Sequence, residues 1–298
     1  MIVDITFRSR DDPTDVFLSA IHEGYTPGSK KLMNHFRDGA YAEFMTVPLE
    51  NCYPLNEEVL FNKLQYTIPD LLSIMKLMVP YGGLRDVNLL PHETVIIAPS
   101  TGGFGGAAVY LALSLGARVV AMGRNQQALT TLQANLSKQF GDDRLTTVPI
   151  SADFQDQLAA LKKTLGDFNC PKGVDVFFDI SPPEAVKSPH FKAAILSLRH
   201  GGRVSLMGGQ REDVSIPHVF VMHFNLKLKG KWMYERQDVR DLIRLIETGG
   251  LRLGKGTAMS SADSKAFKLH DWQQAFDYAA DAPLRIGVGA YFDVEAST

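Results

Sequence analysis

The stretch that most constrains this chain is Thr94-Val95-Ile96-Ile97-Ala98, followed almost at once by Ser100-Thr101-Gly102-Gly103-Phe104-Gly105-Gly106. An apolar, β-branched run that passes into a glycine-rich turn and then a helical-period segment opens a βαβ unit. The glycines let the backbone turn tightly and bring its N–H groups within reach of a pyrophosphate. The helix N-terminus behind them favours an anion by about 0.3–1 kcal/mol. Gly106, Ala107 and Ala108 are small enough for that helix to lie close on the sheet.

The pattern recurs from Glu93 to Lys231. Strands are expected over 94–98, 118–122, 145–150, 174–179 and 203–207, and a sixth from Leu226 to Gly230. Helices are expected between them over 105–115, 126–139, 154–165 and 189–199. Runs such as Val176-Phe177-Phe178 are apolar throughout, as strands covered by helices on both faces must be. The expected class is therefore α/β, a doubly wound, six-stranded parallel sheet of the Rossmann type. The first 75 or so residues, with Pro13, Pro27, Pro48 and Pro54, read instead as irregular β structure and loops. After Lys231 come a helix with Val239, Leu242, Ile243 and Ile246 on one face, a Gly- and Ser-rich loop, a helix around Trp272 to Ala280, and a closing strand near 286–292.

The end of the second strand selects the dinucleotide. A carboxylate there would accept from a ribose 2′-OH and repel a 2′-phosphate, whereas a guanidinium binds the phosphate. This chain has Gly123-Arg124-Asn125 and no acid, which predicts NADP(H). Two other nucleotide users are disfavoured. No tyrosine is followed four residues later by lysine, as a short-chain dehydrogenase requires, and a methyltransferase places an acid where Gly123-Arg124 stand.

With 31 Lys+Arg against 33 Asp+Glu the net charge is −2, which gives no electrostatic basis for binding nucleic acid. No apolar run approaches the length of a membrane span, and the N-terminus does not read as a secretory signal. Cys52 and Cys170 form neither a disulfide framework nor a C-x-x-C zinc site, so a cytoplasmic location is expected.

Taken in order, several segments resemble the medium-chain dehydrogenase/reductase superfamily, the alcohol dehydrogenase and quinone reductase group with a GroES-like catalytic domain. They are Gly39-Ala40-Tyr41-Ala42-Glu43-Phe44, which resembles a family strand, the loop 101–106, Gly201-Gly202-Arg203-Val204-Ser205-Leu206-Met207-Gly208-Gly209, Leu226-Lys227-Leu228-Lys229-Gly230, and the helix with Trp272, Ala275 and Phe276. The resemblance implies three parts: a remnant of an incomplete GroES-like domain over 1–76, an NADP-binding Rossmann domain over 77–230, and a return to the catalytic domain over 231–298. It implies cofactor contacts from Ser100, Thr101, Gly102, Gly103, Phe104, Gly105, Gly123, Arg124, Asn125, Ile180, Ser181, Met207, Gly208 and Gly209. It also implies a homodimer formed through Leu226 to Gly230.

Departures from the family bear on the chemistry. The resemblance implies a start inside the family's catalytic domain. A zinc-binding cysteine of those relatives lies six positions before the tyrosine that resembles Tyr81, and here that position is Met75, whose thioether cannot replace a thiolate. His22-Glu23 follows rather than precedes the first strand, and His218 and His223 are spaced as loop or cleft residues, so no metal is expected. The resemblance implies zinc-independent hydride transfer to a small organic carbonyl or activated C=C. Tyr81 is the candidate proton donor, and His22, Tyr25 and His35 are expected on cleft-side loops. The alternative is a nucleotide-binding interaction protein without catalysis.

Overall fold

The computed structural model describes residues 1–281 and 286–294. The chain begins with short elements: β1 (Ile2–Val3), β2 (Thr6–Arg8), β3 (Val16–Leu18), α1 (Pro27–Met33) and β4 (Cys52–Tyr53). A long helix, α2 (Ile68–Asp86), leads into β5 (Thr94–Ala98), α3 (Gly103–Ser114), β6 (Arg118–Gly123), α4 (Gln126–Phe140), β7 (Leu145–Pro149), α5 (Phe154–Asp167) and β8 (Val174–Asp179). Then follow α6 (His190–Ile195), β9 (Leu198–Leu206), α7 (His218–His223), β10 (Lys227–Gly230), α8 (Arg236–Glu247), β11 (Lys265–Phe267), α9 (Trp272–Asp281) and β12 (Ala290–Phe292).

Six of these strands form one sheet in the order β10-β9-β8-β5-β6-β7, every pair parallel. In register, Ile96 of β5 lies between Val120 of β6 and Phe177 of β8. Alternate side chains feed two cores. Val95 and Ile97 face α2, α3 and α8, while Ile96 and Ala98 face α5 and α6. All five residues of β5 are buried, which the near-continuous apolar run required. The chain departs from β5 to one side through β6 and β7 and returns to the other through β8, β9 and β10. A crevice therefore opens at the carboxyl ends of β5 and β8, where such sheets bind ligands.

Two sequence boundaries move. The helix expected over 189–199 is only α6, and β9 starts at Leu198 with a register shift against β8, because His200, Gly201 and Gly202 continue the strand. The closing strand is confined to Ala290–Phe292, where it pairs in parallel with β11. Residues 39–44 form no strand, and Tyr41 and Phe44 stand exposed.

The largest departure is α2, which begins in the stretch read from sequence as irregular β structure and loops and runs on through residues given no element there. Thr67 caps it reciprocally with Asp70, and Pro69 sits in its first turn, where a missing N–H costs nothing. Pro80, Gly82 and Gly83 then break the helical pattern in sequence but not in space. A methyl group at Gly82 would lie 2.6 Å from Tyr234 Cβ, and one at Gly83 2.1 Å from Met207 Sδ, so the two glycines let the helix lie against the sheet and its C-terminal flank. Burial of Leu71, Ile74, Leu77, Met78 and Leu84 outweighs the lost propensity. A domain boundary between residues 76 and 77 falls inside this helix.

Candidate dinucleotide site

The crevice is built by the carboxyl ends of β5, β6, β8 and β9. Ser100 is buried, and both its N–H and its hydroxyl donate to the carbonyl of Met122, at 2.6 and 2.9 Å, tying the turn after β5 to the end of β6. Thr101 packs on Gly123, where any side chain would meet its Cγ2 at 2.7 Å. Gly105 is fixed by contact from below, since a Cβ there would lie 2.0 Å from the carbonyl oxygen of Pro99. Gly102 and Gly103 differ, because added Cβ atoms would meet nothing within 4 Å. The first turn of α3 therefore faces open space with its amides unmasked. Gly102 supplies no side-chain cap that would compete with an anion. Phe104 is half-exposed beside them.

Arg124 follows β6, exposed, and its field reaches His190 on α6. Asn125 caps α4, its side-chain oxygen accepting from the amide of Ala128 at 3.0 Å, so it fixes the helix that starts beside Arg124. Across the crevice, Ile180 N–H donates to the carbonyl of Ala98, Met207 N–H to that of Asp179, and Gly209 N–H to that of Ser181. The expected cofactor residues are thus brought to one edge of the sheet, although Ser100 and Ser181 are buried. A cavity of about 890 Å³ flanks this edge, its lining mixing polar Thr101, Asn125 and Thr257 with charged Lys138 and Asp263 and apolar Leu132 and Ile286. This cradle fits a dinucleotide pyrophosphate.

Sequence reasoning missed Asp179 and His190. Asp179 ends β8 and is pushed up to about 6 by burial, against hydrogen bonds from Ser181 and Gly208 that favour its charge. His190, at the start of α6, is pushed down to about 4 by burial and then by Arg124. An acid ending a strand and a histidine nine residues after a serine carry no sequence signal of contact.

Tyr81 is seated inside α2 with its hydroxyl 3.4 Å from Arg85 Nη1, and Arg85 pairs with Asp241 and Asp238 of α8. Burial raises the tyrosine above its ordinary value. The hydroxyl therefore points toward α8. His22 accepts from Gly24 N–H and clusters with Tyr25 and Trp232, ring centroids 5.0 and 5.8 Å away. His35 is exposed after α1, and His218 and His223 lie exposed on α7, a short helix rather than a loop.

Among the described residues, neither cysteine is placed with other ligands to hold a zinc ion. Cys170 lies near Thr94 and Arg118, at the amino ends of β5 and β6 and so at the end of the sheet opposite the crevice. Cys52 belongs to β4, and Met75 offers only a thioether. Among the described residues no three His, Cys, Asp or Glu side chains gather to hold a metal.

Residues 103–248 match the family model described as zinc-binding dehydrogenase. L-threonine 3-dehydrogenase of Paraburkholderia phytofirmans is 24% identical over 243 residues, covering 80% of this chain and 61% of the relative. The matched region, residues 103–248, belongs to the medium-chain dehydrogenase/reductase superfamily. L-threonine 3-dehydrogenase of Vibrio parahaemolyticus is 26% identical, with 81% of this chain and 61% of that one covered. The chain spans about three fifths of the length of these curated relatives. In fold it is similar to a putative alcohol dehydrogenase from Sinorhizobium meliloti, with a TM-score of 0.68, 22% identity, and 98% and 68% of the two chains covered. It is also similar to the quinone oxidoreductase of Thermus thermophilus, with a TM-score of 0.56, 20% identity, and 82% and 71% covered. In the described residues no helix is long and apolar enough to cross a membrane.

Proposed function

We propose that the protein is an oxidoreductase that uses NADP(H) to transfer hydride to a small organic carbonyl or activated C=C, without zinc. When bound, the nicotinamide supplies or accepts the hydride. The chain's own part is to hold it. The open first turn of α3 at Gly102 and Gly103 would bind the pyrophosphate through backbone N–H groups, and the turns after β8 and β9 would flank the nicotinamide ribose. The observation that carries the reading is Arg124, exposed at the end of β6 with no carboxylate from Gly123 to Asn125, where a guanidinium can take a 2′-phosphate bidentately. Relatives named as threonine and alcohol dehydrogenases, and a similar fold named quinone oxidoreductase in complex with NADPH, support the reaction class.

The test is titration with NADPH and NADH, followed by nicotinamide fluorescence, in the wild type and in Arg124→Ala. NADPH is expected to bind at least about tenfold more tightly, the worth of one charge-assisted pair, and the substitution to remove that preference. Equal binding of the two nucleotides by the wild type would overturn the NADP(H) assignment. Binding of neither would overturn the whole reading.

A further inference from the structure

Under the turns that follow β8 and β9 runs a chain of buried polar side chains, of which the dinucleotide reading uses only Ser181. Ser181 Oγ donates to Asp179 Oδ1 at 2.5 Å and lies 3.0 Å from His190 Nε2, while His190 Nδ1 lies 2.6 Å from Ser188 Oγ. The hydroxyl proton of Ser181 is committed to the carboxylate, so Nε2 must carry the ring proton and donate to Ser181. Nδ1 then accepts from Ser188. Asp179 is 3%, Ser181 1% and His190 0% exposed, and only Ser188 reaches the surface.

The carboxylate gathers donors from both turns. Ser181 N–H reaches Asp179 Oδ1 at 3.2 Å, and Gly208 N–H also donates to the group. A methyl at Gly208 would lie 2.5 Å from Asp179 Oδ2, so only glycine allows the second turn to close on the acid. Backbone bonds from Met207 to Asp179 and from Gly209 to Ser181 complete the clamp. The two turns thus depend on one acid, and the imidazole from α6 orients the hydroxyl of Ser181.

Resting on the dinucleotide reading above, we propose that Asp179, Ser181 and His190 are positioning residues that lock the turns after β8 and β9 into one rigid edge, against which the nicotinamide half of the nucleotide binds. None of the three needs to touch the reacting atoms.

Their ionisation makes the clamp sensitive to pH. Asp179, held up at about 6 by burial, protonates as the pH falls through that value and can then no longer accept from all its donors, so nucleotide affinity falls on the acid side. His190, held down at about 4, stays neutral over the same range. Arg124, from the end of β6, is the charge that acts on His190. Glu184 and Lys187 on the segment before α6, and Arg211, Glu212 and Asp213 after β9, are exposed to solvent, whereas Asp179 and His190 are buried.

The experiment is NADPH titration by fluorescence from about pH 5 to about pH 8, with thermal melting alongside, for the wild type, Ser181→Ala, His190→Leu and His190→Gln. Wild-type affinity is expected to drop about tenfold toward acid, with a midpoint near Asp179's about 6. Ser181→Ala removes a hydrogen bond that favours the carboxylate, so its midpoint moves upward. His190→Leu weakens binding about tenfold at the alkaline end, and His190→Gln, whose amide can still donate to Ser181, recovers most of it. An unmoved midpoint in Ser181→Ala, or a glutamine variant no better than leucine, overturns the proposal and leaves the oxidoreductase reading standing. A wild type that binds no nucleotide at any pH overturns both.

Discussion

The parallel sheet and the first 67 residues answer differently to the same question, which is where a buried polar group finds its partner. At the amino ends of the sheet strands, Glu93 takes Arg203 at 2.5 Å and Asp175 takes Arg199 at 2.5 Å. In the N-terminal segment, Asp4 Oδ2, Thr6 Oγ1, Arg8 Nη1, Asn51 Oδ1 and Tyr53 OH are buried without a hydrogen-bond partner among the described residues, against Arg203 Nε alone in the sheet strands. Its strands pair only in two-stranded sheets, β1 with β4 and β2 with β3, and such pairs are marginal alone. Tyr25 is 80% and Phe44 90% exposed. What holds this segment is its attachment to the far end of the chain. Tyr234 OH donates to Asp4 at 2.7 Å, Arg236 donates to the Arg8 carbonyl at 2.9 Å, and Asn56 N–H donates to Glu247 at 2.8 Å. The sheet is stabilised from within, and the N-terminal segment by what it leans on.

The largest test of that contrast compares two buried phenylalanines. Phe177→Ala in β8 should cost about 3–5 kcal/mol and lower the main melting transition together with nucleotide binding. Phe7→Ala, which removes the edge-to-face contacts with Phe17 and Phe36, should loosen residues 2–53 while leaving nucleotide binding within about twofold. Equal loss of binding in both variants, with coincident melting by near-ultraviolet circular dichroism and fluorescence, would show that the two regions fold as one unit.

A smaller effect concerns pH and the buried pair under the crevice. Asp179 is raised to about 6, so the stability it confers is full below its unfolded value and lost as the pH rises through 6. His190 is lowered to about 4, so its contribution is full above its unfolded value and lost as the pH falls toward 4. The two slopes oppose each other between those limits. Wild-type melting temperature should therefore change little there, while Asp179→Asn should melt lower as the pH falls and His190→Gln lower as it rises. Parallel profiles for all three proteins would remove both groups from the balance.

The smallest expected effect is at Tyr81. Its hydroxyl meets Arg85 at 3.4 Å, so Tyr81→Phe should shift stability by less than about 1 kcal/mol and leave turnover unchanged. A loss of about a hundredfold in turnover with unchanged melting would instead place the hydroxyl in the proton path.

The sheet was legible in the sequence because its strands are buried on both faces and its turns need glycine. Val174–Asp179 and Thr94–Ala98 appear at the expected boundaries for that reason. Helix α2 was not legible, since Pro80, Gly82 and Gly83 argue locally against it and only the apposed sheet and Tyr234 make close approach worth more than propensity. Of the candidate site, the glycine turn and Arg124 were legible as residue types in a fixed local order. The hydroxyl of Tyr81 was not, because its direction depends on α8, more than 150 residues later.

Residue order alone determined the α/β class, the parallel sheet and the glycine-rich turn, all of which follow from periodicity and from contacts within a few residues. Tertiary structure alone decided that Asp179, Ser181 and His190 meet, that Asn125 caps a helix beside Arg124, and that Asp4 leans on Tyr234. Those contacts depend on where crossovers return the chain, and burial then sets the charge each group can carry.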